Sequence, residues 1–308
     1  MSRANRWARL GRQPADLLGD GLPGRIGSLS RRAARVYREE GIGYAGKRLI
    51  EEGPLGGLRR AHPDLYWRVA PEYHRRAYTR DIDRYDAPLD PFKVESVDPA
   101  RIARSSLRPY PAWEGKSRLF GTVVGGDWDR PRPDHEGIAR GPNASWGENA
   151  LFENKLTYRA FEEHFVDGVE WEEIDLIRER LEEARRGKEA WQGCHSPEEI
   201  LEQCRFFDEL YEEIRTSGFK SQRELRDRDP ERYESFRHLV AGEVLVDVGR
   251  TGELLHVAGD HRTSIAKILG LETIPVGFLV RHSEWMAYRD RLYESGSIPD
   301  HPDLRDLQ

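Results

Sequence analysis

Residues 259–263 combine side-chain types that can bind a phosphate group and move a proton. They read Gly-Asp-His-Arg-Thr and stand where a strand pattern gives way to a helical one. Gly259 allows the backbone to approach a ligand closely, and Arg262 can bind two phosphate oxygens at once. His261 can take or give a proton near neutral pH, and Asp260 is expected to cap the helix. The same short pattern also fits a capped helix that binds no ligand.

Two carboxylates, Asp127 and Asp129, form a second candidate. They flank Trp128 directly after two glycines, at the end of a strand predicted over residues 119–124. Carboxylate oxygens can hold Mg²⁺, or one carboxylate can accept a proton from a hydroxyl nucleophile. The paired glycines are expected to leave room for a ligand. The alternative is a polar loop in which Trp128 packs inward.

Three potential metal ligands, Cys194, His195 and Cys204, lack the four-ligand spacing of a zinc site, so no metal ligands are assigned. Two cysteines in the chain indicate a reducing compartment. The sequence contains no apolar run of about 18 residues and no apolar segment after the first basic residues. We therefore expect a cytoplasmic protein, with attachment to a membrane surface as an open possibility.

The elements that must position residues 259–263 can be predicted from residues 243–281. Residues 244–248 and 254–257 are rich in β-branched and aliphatic side chains around a glycine-containing turn, which predicts a β-hairpin. A short helix follows residue 259 and ends at Gly270. A third strand is predicted over residues 274–280.

This succession resembles the ParB/sulfiredoxin-like superfamily. Residues 259–262 match its Gly-x-x-Arg motif, and the helix that follows contains Ala266 and leads to Leu-Gly-Leu and Ile-Pro-Val at residues 269–271 and 274–276. Residues 210–219, with Gln222, resemble the helix end that precedes these elements in the family. The resemblance covers mainly residues 210–281 and is weaker over residues 91–130, where a strand over residues 92–97 and a short helix over residues 100–105 are predicted. The helix that contains residues 210–217 is expected to begin at the capping box Ser196-Pro-Glu-Glu199 and to end at Gly218. The resemblance implies an α+β fold with a small mixed sheet and flanking helices.

Members of this superfamily differ in function. Sulfiredoxins have a catalytic cysteine where this chain has Asp260, so their chemistry is not expected. Chromosome-partitioning ParB proteins bind CTP and need further domains, for which the residues after Arg281 are too few. Archaeal free serine kinases are similar at His261 and Arg262 and use an upstream carboxylate as base. Asp260 departs from their first histidine, which puts serine in doubt as the substrate.

We therefore predict a nucleotide-phosphate-binding protein that transfers a phosphoryl group to a small hydroxyl-bearing molecule. The residues predicted to bind ATP or another nucleotide are Gly259, Asp260, His261, Arg262 and Thr263. The predicted catalytic residues are Asp127, Asp129 and His261, with Mg²⁺ as a further cofactor. The alternative is a non-enzymatic ParB-like module that binds nucleotide or DNA. A third possibility is a structural or membrane-peripheral protein that has lost ligand binding.

Charge is distributed unevenly along the chain. Residues 1–80 hold 17 Lys and Arg against 8 Asp and Glu, whereas the remainder holds 32 against 47. We predict a basic, partly disordered helical extension over residues 1–85, including a basic helix over residues 29–52. Its expected partners are DNA, an anionic membrane or the acidic remainder of the chain. A ParB/sulfiredoxin-like domain is predicted over residues 86–295, with a helical insertion at about 132–205 and a polar tail over 296–308.

Overall fold

The computed structural model describes residues 50–78, 81–106, 108, 110, 116–130, 151–188, 190, 191, 193–230 and 232–308. It divides the chain into two compact units, Met1–Tyr78 and Thr79–Gln308. The basic helix predicted over residues 29–52 lies outside the described residues except at its end, and so does the first part of the predicted insertion, residues 132–150. The second unit contains both candidate sites.

The described part of the first unit is helical. A π-helical turn, Glu51–Leu55, leads into α1 (Gly56–Ala61), and α2 (Pro63–Tyr78) follows. Tyr66 and Ala70 of α2 are buried, as expected for the inner face of an amphipathic helix. Across the described residues of both units, no helix is long and apolar enough to cross a membrane.

Among the described residues, the second unit contains one mixed sheet of six strands. They are β1 (Val94–Val97), β2 (Arg104–Ser105), β3 (Thr122–Val124), β4 (Val244–Val248), β5 (Leu254–Ala258) and β6 (Ile274–His282). The order is β1-β6-β4-β5-β2, and β3 pairs with the second half of β6. The α+β class, the hairpin of β4 and β5, and the third strand are therefore confirmed.

Seven α-helices are described in the second unit. They are α3 (Leu156–Phe165), α4 (Asp175–Arg185), α5 (Pro197–Ser217), α6 (Gln222–Arg228), α7 (Phe236–Ala241), α8 (Asp260–Ile268) and α9 (Ser283–Ser295). Helix α8 packs against α3, α5 and β4. Its Ala266 joins a buried core with Val246 of β4 and Phe278 of β6. Because α8 is held between helices and sheet, its first turn has a defined position beside β5.

Helix α5 begins and ends where its sequence predicts. The Ser196 hydroxyl caps the helix by accepting a hydrogen bond from the Glu199 N–H at 3.2 Å, and Pro197 is the first helical residue. Gly218 ends the helix in a conformation with φ +75° that favours glycine.

The helix predicted over residues 100–105 is wrong, because Pro99–Arg101 form a 3₁₀ turn and the chain then enters β2.

Asp247 satisfies backbone and side-chain donors inside the sheet. The register between β4 and β6 shifts at this position, and the Val280 N–H donates to Asp247 Oδ1 at 3.1 Å. Ser106 Oγ donates to Oδ2 at 2.7 Å, and the Tyr110 hydroxyl is a further donor. Burial raises the pKa of Asp247 to about 6, against the opposite effect of these hydrogen bonds.

The polar tail predicted over residues 296–308 contains a buried segment. Pro302–Leu307 form a 3₁₀ turn in which Asp303 and Leu304 are fully buried. Asp303 accepts a hydrogen bond from Arg281 Nη2 at 2.6 Å.

Three further side chains complete the surroundings of Asp303. Trp285 Nε1 donates to its carboxylate at 2.8 Å, Lys93 Nζ lies 3.2 Å away, and Arg289 is bonded to its backbone oxygen. These cations hold the pKa of Asp303 well below its usual range although burial acts in the opposite direction. A polar segment is buried here because its carboxylate is paired with cations.

Candidate functional site

The first turn of α8 begins at a glycine that packs tightly on β4. Gly259 is the N-cap, with φ +93°. A Cβ at this position would lie 2.9 Å from Val244 Cγ2 and 3.1 Å from Val244 Cα. The predicted cap is therefore wrong, since Asp260 is the first helical residue and not the N-cap. Glycine is required by the backbone conformation and by the approach to Val244.

The Asp260 carboxylate is the centre of a charged cluster. Lys155 Nζ donates to Oδ1, and Nδ1 of His256 lies 3.5 Å from the same oxygen. The side chains of Lys155 and Asp260 are 13% and 21% exposed, so the cluster reaches solvent. Burial opposes ionisation of Asp260, but the charge of Lys155 and its hydrogen bond outweigh burial and hold the pKa of Asp260 well below its usual range.

A second lysine, Lys116, acts on this cluster. Burial lowers the pKa of Lys116, Asp260 raises it and Lys155 lowers it again. Lys267 also contributes positive charge nearby and pairs with Glu153 at 2.7 Å. One carboxylate at the start of α8 therefore lies among several lysines, and the cluster carries an excess of positive charge.

His256 is buried beside Asp260 and is neutral. It is only 2% exposed, and the Phe152 ring lies against it with 4.8 Å between ring centroids. Within the part of the chain that the structure describes, neither of its ring nitrogens makes a hydrogen bond. Burial, followed by the charge of Lys155, lowers its pKa to about 3. A polar ring in this state can accept a proton once the positive charge around it is offset.

One buried hydroxyl group lies next to this histidine in the sheet, and two more lie in α8. Ser105 of β2 is the parallel cross-strand partner of His256, so the two side chains leave the sheet on the same face. Thr263 and Ser264 follow on the first two turns of α8 and are fully buried. Among the described residues, none of these three hydroxyl groups has a hydrogen-bond partner.

His261 is directed into an aromatic cluster. Its ring lies 4.4 Å from the Phe207 ring and stacks on Phe161 at 5.6 Å, measured between centroids. Trp191 is a third aromatic neighbour. Burial lowers the pKa of His261 to about 4. The residue predicted to act in catalysis is thus a neutral side chain packed against α3 and α5.

Arg262 is directed away from Asp260. Its guanidinium donates to the Gly242 carbonyl oxygen and lies over the Phe219 ring at 5.4 Å. Burial lowers its pKa, and the charge of Glu243 opposes this effect. Glu243 is itself buried, which raises its pKa to about 7 against the influence of Arg262. The predicted phosphate-binding arginine connects α8 to the segment before β4.

Asp127 and Asp129 both bind Arg250. The Asp129 side chain is 1% exposed and accepts from Arg250 Nε and Nη2 at 2.9 and 2.7 Å. Asp127 is 65% exposed and accepts from Arg250 Nη2 at 2.9 Å. Of the two glycines before them, Gly125 packs closely, since a Cβ there would lie 2.9 Å from Ser283 Oγ, whereas a Cβ at Gly126 would meet no atom within 4 Å. The two carboxylates and Arg250 therefore form an ion-paired turn.

The two predicted groups of site residues lie at opposite ends of β4. Gly259 packs on Val244 at the first residue of the strand, whereas Asp129 packs on Gly249 just after its last residue. Five residues of strand separate them, or roughly 16 Å at 3.3 Å per residue. The structure thus does not bring Asp127 or Asp129 to residues 259–263, and neither is positioned to act as a base there.

The predicted Mg²⁺ ligands do not fit the ion. Both oxygens of Asp129 are bonded to Arg250, which leaves Asp127 as a single carboxylate. In the described residues, no group of three His, Cys, Asp or Glu side chains could hold a metal. We derive no step through a metal bound at Asp127 and Asp129.

The residues that complete the cluster were missed by the sequence analysis. His256 lies three positions before Gly259 and directly opposite Val246 on the β4–β5 ladder. Its place in the predicted strand was the one signal that could have identified it as a buried polar ring. Lys116 and Lys155 are far from the motif in sequence, and no local pattern singles them out. No protein-family model, curated protein or solved structure significantly matches this chain.

Proposed function

We propose that the start of α8 binds the phosphate groups of a nucleotide. The observation that carries the proposal is the contact of Lys155 with Asp260 at the first turn of α8, with Lys116 near enough for its charge to interact with both. The first hydrogen bond of this helix runs from the Thr263 N–H to the Gly259 carbonyl. The N–H groups before it have no partner within the helix and favour an anion.

Asp260 fits this proposal as an internal counter-ion. Its carboxylate pairs with Lys155 and lowers the cost of placing lysines in a partly buried position. A phosphate group carries more negative charge than one carboxylate, and it can contact both lysines and the free N–H groups together. Ligand binding would therefore redistribute the partners of Lys155.

We further propose a ParB/sulfiredoxin-like fold and phosphoryl transfer as the activity. The order β4, β5, α8 and β6, with Gly259 between strand and helix, supports the fold. Phosphoryl transfer depends mainly on positioning and on offsetting negative charge, which the two lysines and the helix start can do. ATP or another nucleotide is the expected donor, and a small hydroxyl-bearing molecule is the expected acceptor.

Thermal unfolding in the presence of nucleotides tests the binding proposal. ATP, ADP, CTP and GTP would be compared with and without Mg²⁺, on the wild type and on Lys155→Gln. A ligand at about a hundred times its Kd stabilises the folded protein by roughly 2.7 kcal/mol. We expect a rise in Tm with at least one nucleotide and at least a tenfold weaker affinity in Lys155→Gln.

Lys188→Gln is the matched control, because Lys188 is an exposed lysine that follows α4 and has no described contact with Asp260 or His256. This control should bind like the wild type. Lys116→Gln should weaken binding in the same direction as Lys155→Gln. Absence of binding for all four nucleotides, or equal affinity in all three variants, would contradict the proposal.

If a nucleotide binds, phosphoryl transfer would be measured with that nucleotide and a panel of small alcohols, sugars and hydroxy acids.

A second candidate function is DNA binding through residues 1–80. The surplus of Lys and Arg in this segment supports it. Affinity for duplex DNA should fall steeply as salt concentration rises. It should be lost when these residues are deleted, while nucleotide-dependent stabilisation of the remaining chain is retained. No binding at low salt would remove this candidate.

A further inference from the structure

We propose that His256 is the proton-accepting residue of the α8 site and takes up a proton when a phosphate-bearing ligand binds beside Lys116 and Lys155. This inference rests on the proposed function and extends it. The proton acceptor is then His256 of β5 and not Asp127 or Asp129, which lie at the other end of β4.

The geometry around His256 resembles that of a proton relay. Asp260 Oδ1 lies 3.5 Å from Nδ1, close enough for a carboxylate to stabilise a protonated ring. Ser105 stands opposite His256 on the neighbouring strand, and its hydroxyl has no partner among the described residues. A buried imidazole whose ring nitrogens are not used by the fold is costly, which points to a use outside folding.

The charges that face His256 explain why it is neutral without a ligand. Lys155 before α3, Lys116 before β3 and Lys267 of α8 all disfavour a proton on the ring, and Asp260 alone favours it. Burial adds to the effect of the lysines. An anion that binds Lys116 and Lys155 would offset their charge and leave Asp260 as the main influence on the ring. Ligand binding and protonation of His256 should therefore be linked.

This linkage has a measurable form. If one proton is taken up with each ligand, the affinity rises as the pH falls, by up to tenfold per pH unit. The protonated ring would also add a positive charge next to the bound phosphate.

Isothermal titration calorimetry with ADP measures the proton directly. The full-length protein would be titrated at pH 6.5 in buffers that differ in ionisation enthalpy, for the wild type and for His256→Gln. ADP itself exchanges protons, but this contribution is common to both proteins and cancels in the difference. We expect the wild type to take up about one proton more than His256→Gln. His195→Gln, which changes an exposed histidine, should match the wild type.

The outcomes separate the two proposals. If ADP and the other nucleotides fail to bind the wild type, the proposed function fails and this inference fails with it. If ADP binds, requires Lys155, and is accompanied by the same proton uptake in the wild type and in His256→Gln, only the inference is overturned. Should His256→Gln fail to fold, Asp260→Asn replaces it. That variant removes the one charge that favours a protonated ring, so its proton uptake must be smaller than in the wild type.

Discussion

Asp260 Oδ1 lies 3.5 Å from His256 Nδ1, across the junction at which β5 passes into α8. The same oxygen accepts a hydrogen bond from Lys155. One carboxylate therefore influences both a buried base and a partly exposed cation. Because the chain turns sharply at Gly259, a strand residue and a helix residue four positions apart can meet in this way.

Gly259→Ala should destabilise the protein more than Gly270→Ala. Both glycines have positive φ, +93° and +63°, so alanine is strained at each position by about 1–2 kcal/mol. Only at Gly259 does the new Cβ meet a neighbour, Val244, at 2.9 Å, which adds about 1–3 kcal/mol of overpacking. Urea unfolding of both variants measures the difference. Equal losses of stability would show that Val244 moves aside without cost.

Asp129→Asn should lower Tm by several degrees, whereas Asp127→Asn should change it little. The Asp129 carboxylate is buried and makes several hydrogen bonds to Arg250, while Asp127 is exposed. Both variants should bind nucleotide like the wild type, because they lie at the far end of β4 from α8. Thermal unfolding with and without nucleotide makes the comparison. Loss of nucleotide binding in a folded Asp127→Asn protein would restore the earlier prediction of a catalytic carboxylate.

Arg262→Ala should act on stability first. The guanidinium bonds to the Gly242 carbonyl and lies near the buried Glu243. Its removal leaves buried polar groups unpaired, which costs about 1–3 kcal/mol. At a temperature where the variant is fully folded, its nucleotide affinity should stay within about threefold of the wild type, unlike that of Lys155→Gln. Urea unfolding and calorimetry test the two parts separately, and a stable variant without nucleotide binding would contradict both.

The free energy of unfolding should depend only weakly on pH between 7 and 5. His256 and His261, with pKa values lowered to about 3 and about 4, stay neutral when folded but take up protons when unfolded, so they reduce stability as the pH falls. Burial also lowers the pKa of His301, which acts in the same direction. Glu243 and Asp247, with pKa values raised to about 7 and about 6, take up protons only when folded. The two carboxyl groups increase stability over the same interval and oppose the histidines.

Glu243→Gln should reveal this compensation. The variant lacks one contribution that increases stability at lower pH. Its free energy of unfolding should therefore fall, relative to the wild type, by roughly 1 kcal/mol per pH unit between pH 7 and 5, below the limit of about 1.4 kcal/mol for one full proton. Urea unfolding at pH 7, 6 and 5 measures the slope. Parallel pH profiles for variant and wild type would mean that Glu243 remains ionised in the folded protein.

Asp303→Asn should be strongly destabilising, by about 3–5 kcal/mol, because it leaves the buried Arg281 without its charged partner, whereas Arg289 keeps Asp306. Asp300→Asn is the control, since Asp300 is exposed in the same segment. Its effect should be within about 0.5 kcal/mol. Chemical unfolding compares the two, and similar small effects would show that the buried cations find other partners.

Local patterns predicted the elements near α8 well. The hairpin, α8 and β6 follow from β-branched runs, a turn and a helical spacing within one stretch of chain. The site itself could not be predicted in the same way. Lys116 and Lys155 come near Asp260 only through tertiary packing. The motif predicts a solvent-facing Arg262, but its guanidinium is buried and bonds to the Gly242 carbonyl.

Short and distant pairings account for the errors in the fold. Strand β2 has two residues and pairs with β5, which lies far along the chain, so residues 100–105 were predicted as a helix. The buried 3₁₀ turn Pro302–Leu307 is polar in composition, and its burial depends on cations supplied by β6 and α9. Composition alone does not contain this information.

The central position of β6 has a consequence for the order in which the protein can be assembled. β6 pairs with β1, β3 and β4, and Val94 finds its partner at Gly277. Contacts so distant along the chain close large loops and form slowly. During synthesis, β1 and β3 have to wait, with unpaired edges, until residues 274–282 have left the ribosome. The second unit is therefore expected to acquire its sheet late and to depend in this interval on protection from aggregation.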